Sequence, residues 1–333
     1  MANIRIISRE NGVGLSGDMR LLSGVLAHSG HRVQVVGYGG SQIGNRAREA
    51  GLWAQRVLHG KVDVQIFVER IYHRCLPLAS RNLLMPNPEW FLPKWQRHLP
   101  GFERVLCKTR HAEAIFQQLG CATVLTGFTS RDVFDSAVTR QRAFFHLAGR
   151  STAKGTEAVL AAWRAHPHWP LLTVVQHPKI ARPGPAAANI THRVDYLPDT
   201  ELRHLQNSHR FHLCPSEAEG FGHYLMEGLG AGAVVLATDA APMNELVSVD
   251  RGLLIAPSSR HRRGLVDFHH VDEKGIEDAV ERALALADAQ AVALGKRARA
   301  FYLQNDGQFR QGLESACFGD IPVLQRPLQA ATR

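Results

Sequence analysis

The sequence predicts an α/β protein made of two successive parallel-sheet units, and three observations predict it. Short apolar runs recur between helix-length segments, the rhythm of strands joined by crossover helices. That rhythm breaks off near residues 135–142 and restarts at Phe144. A chain of 333 residues is long for one core and comfortable for two.

In the first unit the runs at 4–8, 33–38, 62–68, 83–85, 105–108 and 123–126 read as strands. Helical periodicity is clearest over 17–29 and 111–119, and each stretch is followed by a glycine, Gly30 or Gly120, a common helix stop. In the second unit strands are expected at 144–148, 172–176, 193–196, 211–214, 234–237 and 253–255. Helices fit 156–165, 199–207, 222–230, 275–287 and 289–303. The segment A-R-P-G-P-A-A-A at 181–188 reads as a surface loop. The last dozen residues, with Pro322 and Pro327, are not expected in a sheet, and no repeat of solenoid period is visible.

Composition narrows the class. Apolar residues make up 45% and charged residues 21%, which is globular. The opening M-A-N-I-R-I-I-S lacks a basic n-region and a cleavage site, so it reads as a first strand, and no apolar run is long enough to span a bilayer. A cytoplasmic protein is the expectation, with peripheral membrane association as an open addition. Five scattered cysteines and eighteen dispersed histidines form neither a disulfide framework nor a metal-ligand pattern. A net charge of +9 calls for an anionic partner. Residues 69–110 hold eight Lys/Arg against three acids, interleaved with Trp90, Phe91, Trp95 and Phe102. This suits a membrane-interface patch, an acceptor groove, or an amphipathic surface with its aromatics buried. Nucleic acid is not expected, because no recognised binding motif accompanies the charge.

The strongest chemical signal is P-S-E-A-E-G-F-G-H-Y-L-M-E at 215–227. It leaves a strand at its carboxyl end, where open α/β sheets bind ligands, and then opens a helix. Gly220 and Gly222 let the backbone approach a ligand, and the helix start presents free N–H groups to phosphate. Glu227 lies about one and a half turns beyond the loop, roughly 7 Å along the axis. Two carboxylates so placed suit the hydroxyls of a sugar and of a ribose. A second signal, F-H-L-A-G-R-S-T-A-K-G-T-E at 145–157, ends a strand at Gly149-Arg150 and starts a helix at Lys154-Gly155.

These blocks resemble the large family of retaining glycosyltransferases whose pattern is P-S-x-x-E-G-F-G-x-x-x-x-E-A-x-A-x-G-x-P-V-V-A-[ST], accompanied by G-R-x-x-x-K-G. The match runs through Thr238 and on into Asn244-Glu245-Leu246-Val247, with Gly228, Ala233 and His223-Tyr224 as departures. The resemblance implies two Rossmann-like domains facing a cleft, the GT-B arrangement, with an acceptor-side domain at 1–138 and a nucleotide-sugar domain at 139–305. Residues 306–333 would pack back on the first. It implies transfer, with retention, from a nucleoside diphosphate sugar to the hydroxyl of a glycan, lipid-linked or small-molecule acceptor, with no further cofactor and no metal. Arg150 and Lys154 would bind the diphosphate. Glu219 and the Gly220-Phe221-Gly222 backbone would hold the sugar, Glu227 the ribose, and the Tyr196-Leu197 backbone the base.

Near the amino terminus Gly12-Val13-Gly14-Leu15-Ser16-Gly17 satisfies G-x-G-x-x-G, so an NAD(P)-dependent oxidoreductase is an alternative, as is an epimerase-like relative of the same fold. Against NAD(P), Arg9-Glu10-Asn11 separate the strand from the first glycine, and the second strand ends without an acid for the ribose. In the resembling family such a loop lies at the cleft, making Gly14 and Ser16 candidate contacts. Many family members also place a His after a middle strand of the first domain. Here N-P-E brings Asn87 or Glu89 there, with His73 as a further substitute.

Overall fold

The computed structural model describes residues 1–10 and 14–319. The first unit interleaves β1 (Asn3–Arg9), α1 (Gly14–His28), β2 (Arg32–Tyr38), α2 (Gln42–His59), β3 (Val62–Val68), β4 (Ala79–Met85), β5 (Arg104–Cys107), α3 (Arg110–Gln118) and β6 (Thr123–Leu125). Its six strands are all parallel, in the order β2-β1-β3-β4-β5-β6. Helices cover both faces, so central strands such as V-D-V-Q-I-F-V of β3 are buried along almost their whole length.

The second unit begins with β7 (Gln141–Gly149), α4 (Thr156–Ala165), β8 (Leu172–Gln176), β9 (Ile190–Arg193), α5 (Asp199–Ser208) and β10 (His209–Cys214). It continues with α6 (His223–Ala231), β11 (Val234–Thr238), α7 (Met243–Leu246) and β12 (Gly252–Ile255). These six strands are also parallel, in the order β12-β11-β10-β7-β8-β9. A hairpin of β13 (Ser259–Arg263) and β14 (Val266–His270) precedes α8 (Glu273–Leu284) and the long α9 (Asp288–Phe318).

Three expectations are corrected, and one open choice is narrowed. The strand placed at 193–196 lies earlier, at β9, so Tyr196 and Leu197 belong to the turn before α5. Residues 42–59, where the sequence reading places no element, form α2, and the hairpin at 259–270 was likewise not expected. The last helix runs fifteen residues past the expected end at Leu303, to Phe318. Of the three readings open for the basic-aromatic stretch at 69–110, the amphipathic surface with buried aromatics fits, since Phe91 and Trp95 sink into the core with Phe102 packed against it. Trp90 alone of the four is exposed, with Arg263 over its ring. Pro322, Pro327 and the end of the segment at 306–333 lie outside the described residues.

One apolar cluster runs through both units. Ile4, Ile6 and Leu22 of the first share it with Phe221, Tyr224 and Leu225 of the second. Phe128 joins them, edge-on to Phe221 at 5.4 Å and to Phe309 of α9 at 5.0 Å. Burying a phenylalanine fully stabilises by about 1.5–3 kcal/mol, so Phe128 and Phe309 tie α9 firmly across the junction. Further along, α9 reaches the first unit, where Phe318 stacks on His31 and Arg104 donates to the carbonyls of Ala316 and Gly319. Among the described residues, no helix is long and apolar enough to cross a membrane.

Candidate functional site

The strand order of the second sheet places the site. From β7 the chain winds outward through β8 and β9, then crosses back to β10 on the other side of β7. The loops leaving β7 and β10 therefore diverge, and the gap between them is the topological switch point where such sheets bind ligands. At their roots the two loops pack backbone to backbone. Gly155, in the left-handed region at φ 65°, sits so near the other loop that a Cβ would lie 2.7 Å from the carbonyl oxygen of Pro215. The backbone N–H of Glu217 donates to the carbonyl of Ala153, 3.0 Å away, closing the two loops together. Beneath them, buried His146 of β7 donates from Nδ1 to the carbonyl of Leu213 and accepts at Nε2 from Thr156. Burial holds its pKa down to about 4, so it is a neutral tie between β7, β10 and α4.

The sequence-predicted residues meet here in part. Lys154 donates to Glu219 Oε1, and the same oxygen accepts from Ser216 Oγ at 2.5 Å. Tyr224 completes the cluster: its hydroxyl bonds Ser216, and the Lys154 ammonium lies 3.5 Å from its ring centroid. An ammonium has three N–H donors, and only one of them is taken by Glu219. The second oxygen of Glu219 has no hydrogen-bond partner among the described residues. Gly222 starts α6 in the left-handed region at φ 98°, and Gly220 lies directly under Asn87 of the other unit. Phe221 is buried against Phe128, so that position contributes its backbone and a core side chain.

Glu227 lies one α6 turn deeper, where its Oε2 accepts from Gln206 Nε2 at 2.7 Å. Desolvation raises its pKa, opposed by His223 and by that hydrogen bond. Arg150 is exposed at the end of β7 and makes no ion pair among the described residues. Tyr196 is 78% exposed, whereas the Leu197 side chain is buried against Phe145 and Val175. Gly14 opens α1 and Ser16 lies in its first turn, at the carboxyl end of β1. Gly12 and Val13 of the glycine motif lie outside the described residues.

Facing this cluster, the first unit carries a buried polar network around Asn87, whose partners sequence reasoning missed. Lys108, 1% exposed, donates to Asp18 Oδ2 at 2.7 Å and to Asn87 Oδ1 at 3.1 Å. Asn87 in turn donates to Glu69 Oε2 at 3.2 Å. Burial alone would raise the Asp18 pKa, but Lys108 and His223 outweigh it and hold the carboxyl well below its usual range. Glu69 follows β3 in the left-handed region at φ 64°, a conformation costing a glutamate about 1–2 kcal/mol. It stands at the β1/β3 switch point of its own sheet. Glu89 is different. Its Oε2 is buried without a hydrogen-bond partner, and burial, reinforced by the Glu219 charge, pushes its pKa up to about 8.

Two residues of the second unit bridge the junction. His223 pairs with Asp18 Oδ1 at 2.6 Å through Nε2 and meets Ser130 Oγ at 2.8 Å through Nδ1. Glu245 accepts from the backbone N–H groups of Arg110 and His111, both at 2.8 Å, and so caps α3 of the first unit from outside. Asn87 and Glu89 carried a signal as candidates in place of the family's His, His223-Tyr224 as departures from the motif, and Glu245 as its continuation. Asp18, Lys108 and Glu69 carried none.

No protein-family model matches the chain, and no curated protein matches it. Among solved structures, the chain is similar to a glycosyltransferase from Rickettsia africae ESF-5, at 13% identity and TM-score 0.71 over 95% of this chain and 97% of that one. It is similar also to sucrose-phosphate synthase from Thermosynechococcus elongatus, at 16% identity and TM-score 0.68 over 95% and 100%. A third is Anabaena HepE in complex with UDP and glucose, at 14% identity and TM-score 0.66 over 95% and 100%. At these identities the likeness defines the fold. The chain is a two-domain α/β protein of the GT-B arrangement, two parallel six-stranded sheets with flanking helices.

Proposed function

We propose that this chain is a retaining glycosyltransferase that moves a sugar from a nucleoside diphosphate to an acceptor hydroxyl in glycan or glycoconjugate synthesis. The observation that carries the reading is the Lys154–Glu219–Ser216–Tyr224 cluster at the switch point of the second sheet. Glu219 steadies Lys154 and leaves two ammonium donors for diphosphate oxygens, while its own second oxygen can accept from a sugar hydroxyl. The N-terminal N–H groups of α6 face the same gap, where they add positive potential as the leaving group departs. Arg150 extends that potential from the rim. Glu227 keeps one carboxylate oxygen for the ribose, and the Tyr196-Leu197 backbone borders the base. The charge set needs no divalent cation, so turnover should persist in EDTA. Retention rests on the motif resemblance. The GT-B fold and the UDP and glucose held by HepE support the substrate class.

Asn87 and Glu89 can be separated as candidates for the position facing the donor sugar. Both polar atoms of Asn87 are occupied, by Lys108 and Glu69, whereas Glu89 keeps an oxygen unpartnered. Glu89, protonated at neutral pH, is therefore the residue proposed to donate a hydrogen bond to the sugar. His73 stacks on His98 at 4.9 Å between ring centroids, at a surface away from this network. The oxidoreductase alternative finds less support. Dinucleotides favour the 3-2-1-4-5-6 order, and the second sheet, not the one behind Gly14, has it.

The test is a thermal-shift screen with UDP-glucose, UDP-N-acetylglucosamine, GDP-mannose, ADP-glucose and NADH. At least one nucleotide-sugar should raise the melting temperature. Glu227→Ala should abolish that shift, and Lys154→Ala should depress turnover more than folding. A response to NADH alone, or wild-type nucleotide affinity in Glu227→Ala, would overturn the assignment.

A further inference from the structure

Helix α2 is turned the wrong way for a helix that merely covers a sheet. Of its eighteen residues only Leu52 is buried in the core. The inward side is polar and well anchored: Glu49 pairs with Arg74, Arg56 donates to the carbonyl of Pro77, and Asn45 accepts from the backbone of Gly39. A cleft of about 430 Å³, lined partly by Gln34, Val35, Arg48 and Gln55, separates the helix from edge strand β2. The outward side is apolar. Ile43, Ala47, Ala50, Ala54, Val57 and Leu58 are all exposed and spaced alternately four and three residues apart, with Leu58 beside Val57. They form one stripe covering roughly 120° of the helix surface. The exposures of the large ones are far from incidental, at 80% for Ile43, 81% for Val57 and 74% for Leu58.

The surroundings say what covers this stripe. Arg46 and Trp53 border it on one side, and His59 and Lys61 follow at its carboxyl end, whereas Arg48 turns inward over the Tyr38 ring and the cleft. The single acid of the helix, Glu49, faces inward to Arg74. A second copy of the chain is a poor fit, because α2 presents no outward acid to pair with Arg46 and Lys61 across a symmetric contact. A helix with an apolar stripe, an arginine and an aromatic along one margin and a lysine at its end matches the interface of an anionic bilayer.

We infer that α2 is a membrane-docking helix that seats Ile43, Val57 and Leu58 among acyl chains while Arg46 and Lys61 meet anionic headgroups. The first unit would then ride on the bilayer through α2, and not through the aromatics of residues 69–110. The inference does not depend on the donor-site reading.

The experiment is co-sedimentation of the full chain with vesicles of phosphatidylcholine alone and of phosphatidylcholine with one-third phosphatidylglycerol. The chain should pellet with the anionic vesicles, release as salt rises, and stay largely in solution with the neutral ones. Val57→Glu/Leu58→Glu should lower the anionic-vesicle partition at least tenfold with an unchanged melting temperature, since both side chains are already in water. Arg46→Glu/Lys61→Glu should remove the preference for anionic lipid. No binding of the wild type to anionic vesicles would overturn the inference, as would binding that survives Val57→Glu/Leu58→Glu. A wild-type dimer that this double variant converts to monomer would assign the stripe to a second copy instead.

Discussion

The junction between the two units turns on the absence of a side chain at Gly220, and Gly220→Ala measures it. A Cβ there would lie 2.6 Å from Asn87 Oδ1, 2.7 Å from its Cγ and 2.8 Å from its Cβ. Comfortable carbon contacts begin near 3.5 Å, so each approach is too close by roughly 0.7 Å or more. The asparagine cannot swing aside cheaply, because Lys108 holds its oxygen and Glu69 its nitrogen. Breaking the bond to the buried ammonium costs about 1.5–3 kcal/mol. Rotation would still leave the Asn87 Cβ in place, so the loop must also shift, at a further cost of about 1 kcal/mol. Gly220→Ala should therefore destabilise the chain by about 3 kcal/mol in urea titration. A double-mutant cycle identifies the cause. Asn87→Gly, which removes every clashing atom, should recover about 2 kcal/mol in the Gly220→Ala background, whereas Asn87→Ala, which keeps its Cβ, should recover much less. Loss of under 0.5 kcal/mol in Gly220→Ala, or a coupling energy near zero, refutes the reasoning.

Other perturbations read other parts of the junction. Glu89 is protonated in the folded chain up to about pH 8 but ionises near pH 4.5 once unfolded. Its burial therefore lowers stability as pH rises between those values, by up to about 1.4 kcal/mol per pH unit. Glu89→Gln should gain on the wild type from pH 5 to 8 in paired urea titrations, and a pH-independent difference would contradict the assignment. Asp18→Asn leaves the Lys108 ammonium buried without its carboxylate and should cost about 3–5 kcal/mol by the same measurement. Glu245→Ala removes the cap on α3 and should cost about 1–2 kcal/mol, with faster hydrogen exchange at the Arg110 and His111 amides as its signature. Exchange as slow as in the wild type would show that the cap contributes nothing.

The sequence by itself determined what depends on short spacing. Strand and helix rhythm, the restart at Phe144, and the strand–glycine–helix units at 145–157 and 215–227 all follow from periods of two and of 3.6 residues and from glycines at turns. Even α2 had local marks, Ser41 as a side-chain cap and Gly60 as a stop at φ 81°, but its alanine-rich stripe gave little hydropathy signal. The tertiary structure decided what depends on strand order and on burial. Asp18, Glu69, Asn87 and Lys108 stand on separate elements and meet only because their strands or neighbouring strands lie side by side in one sheet. Lys154 and Glu219 are 65 residues apart, and the crossover from β9 to β10 makes them a pair. Periodicity shows that a helix has an apolar side. Only the sheet beneath α2 decides that this side faces out, because burial is a relation between elements and not a property of one.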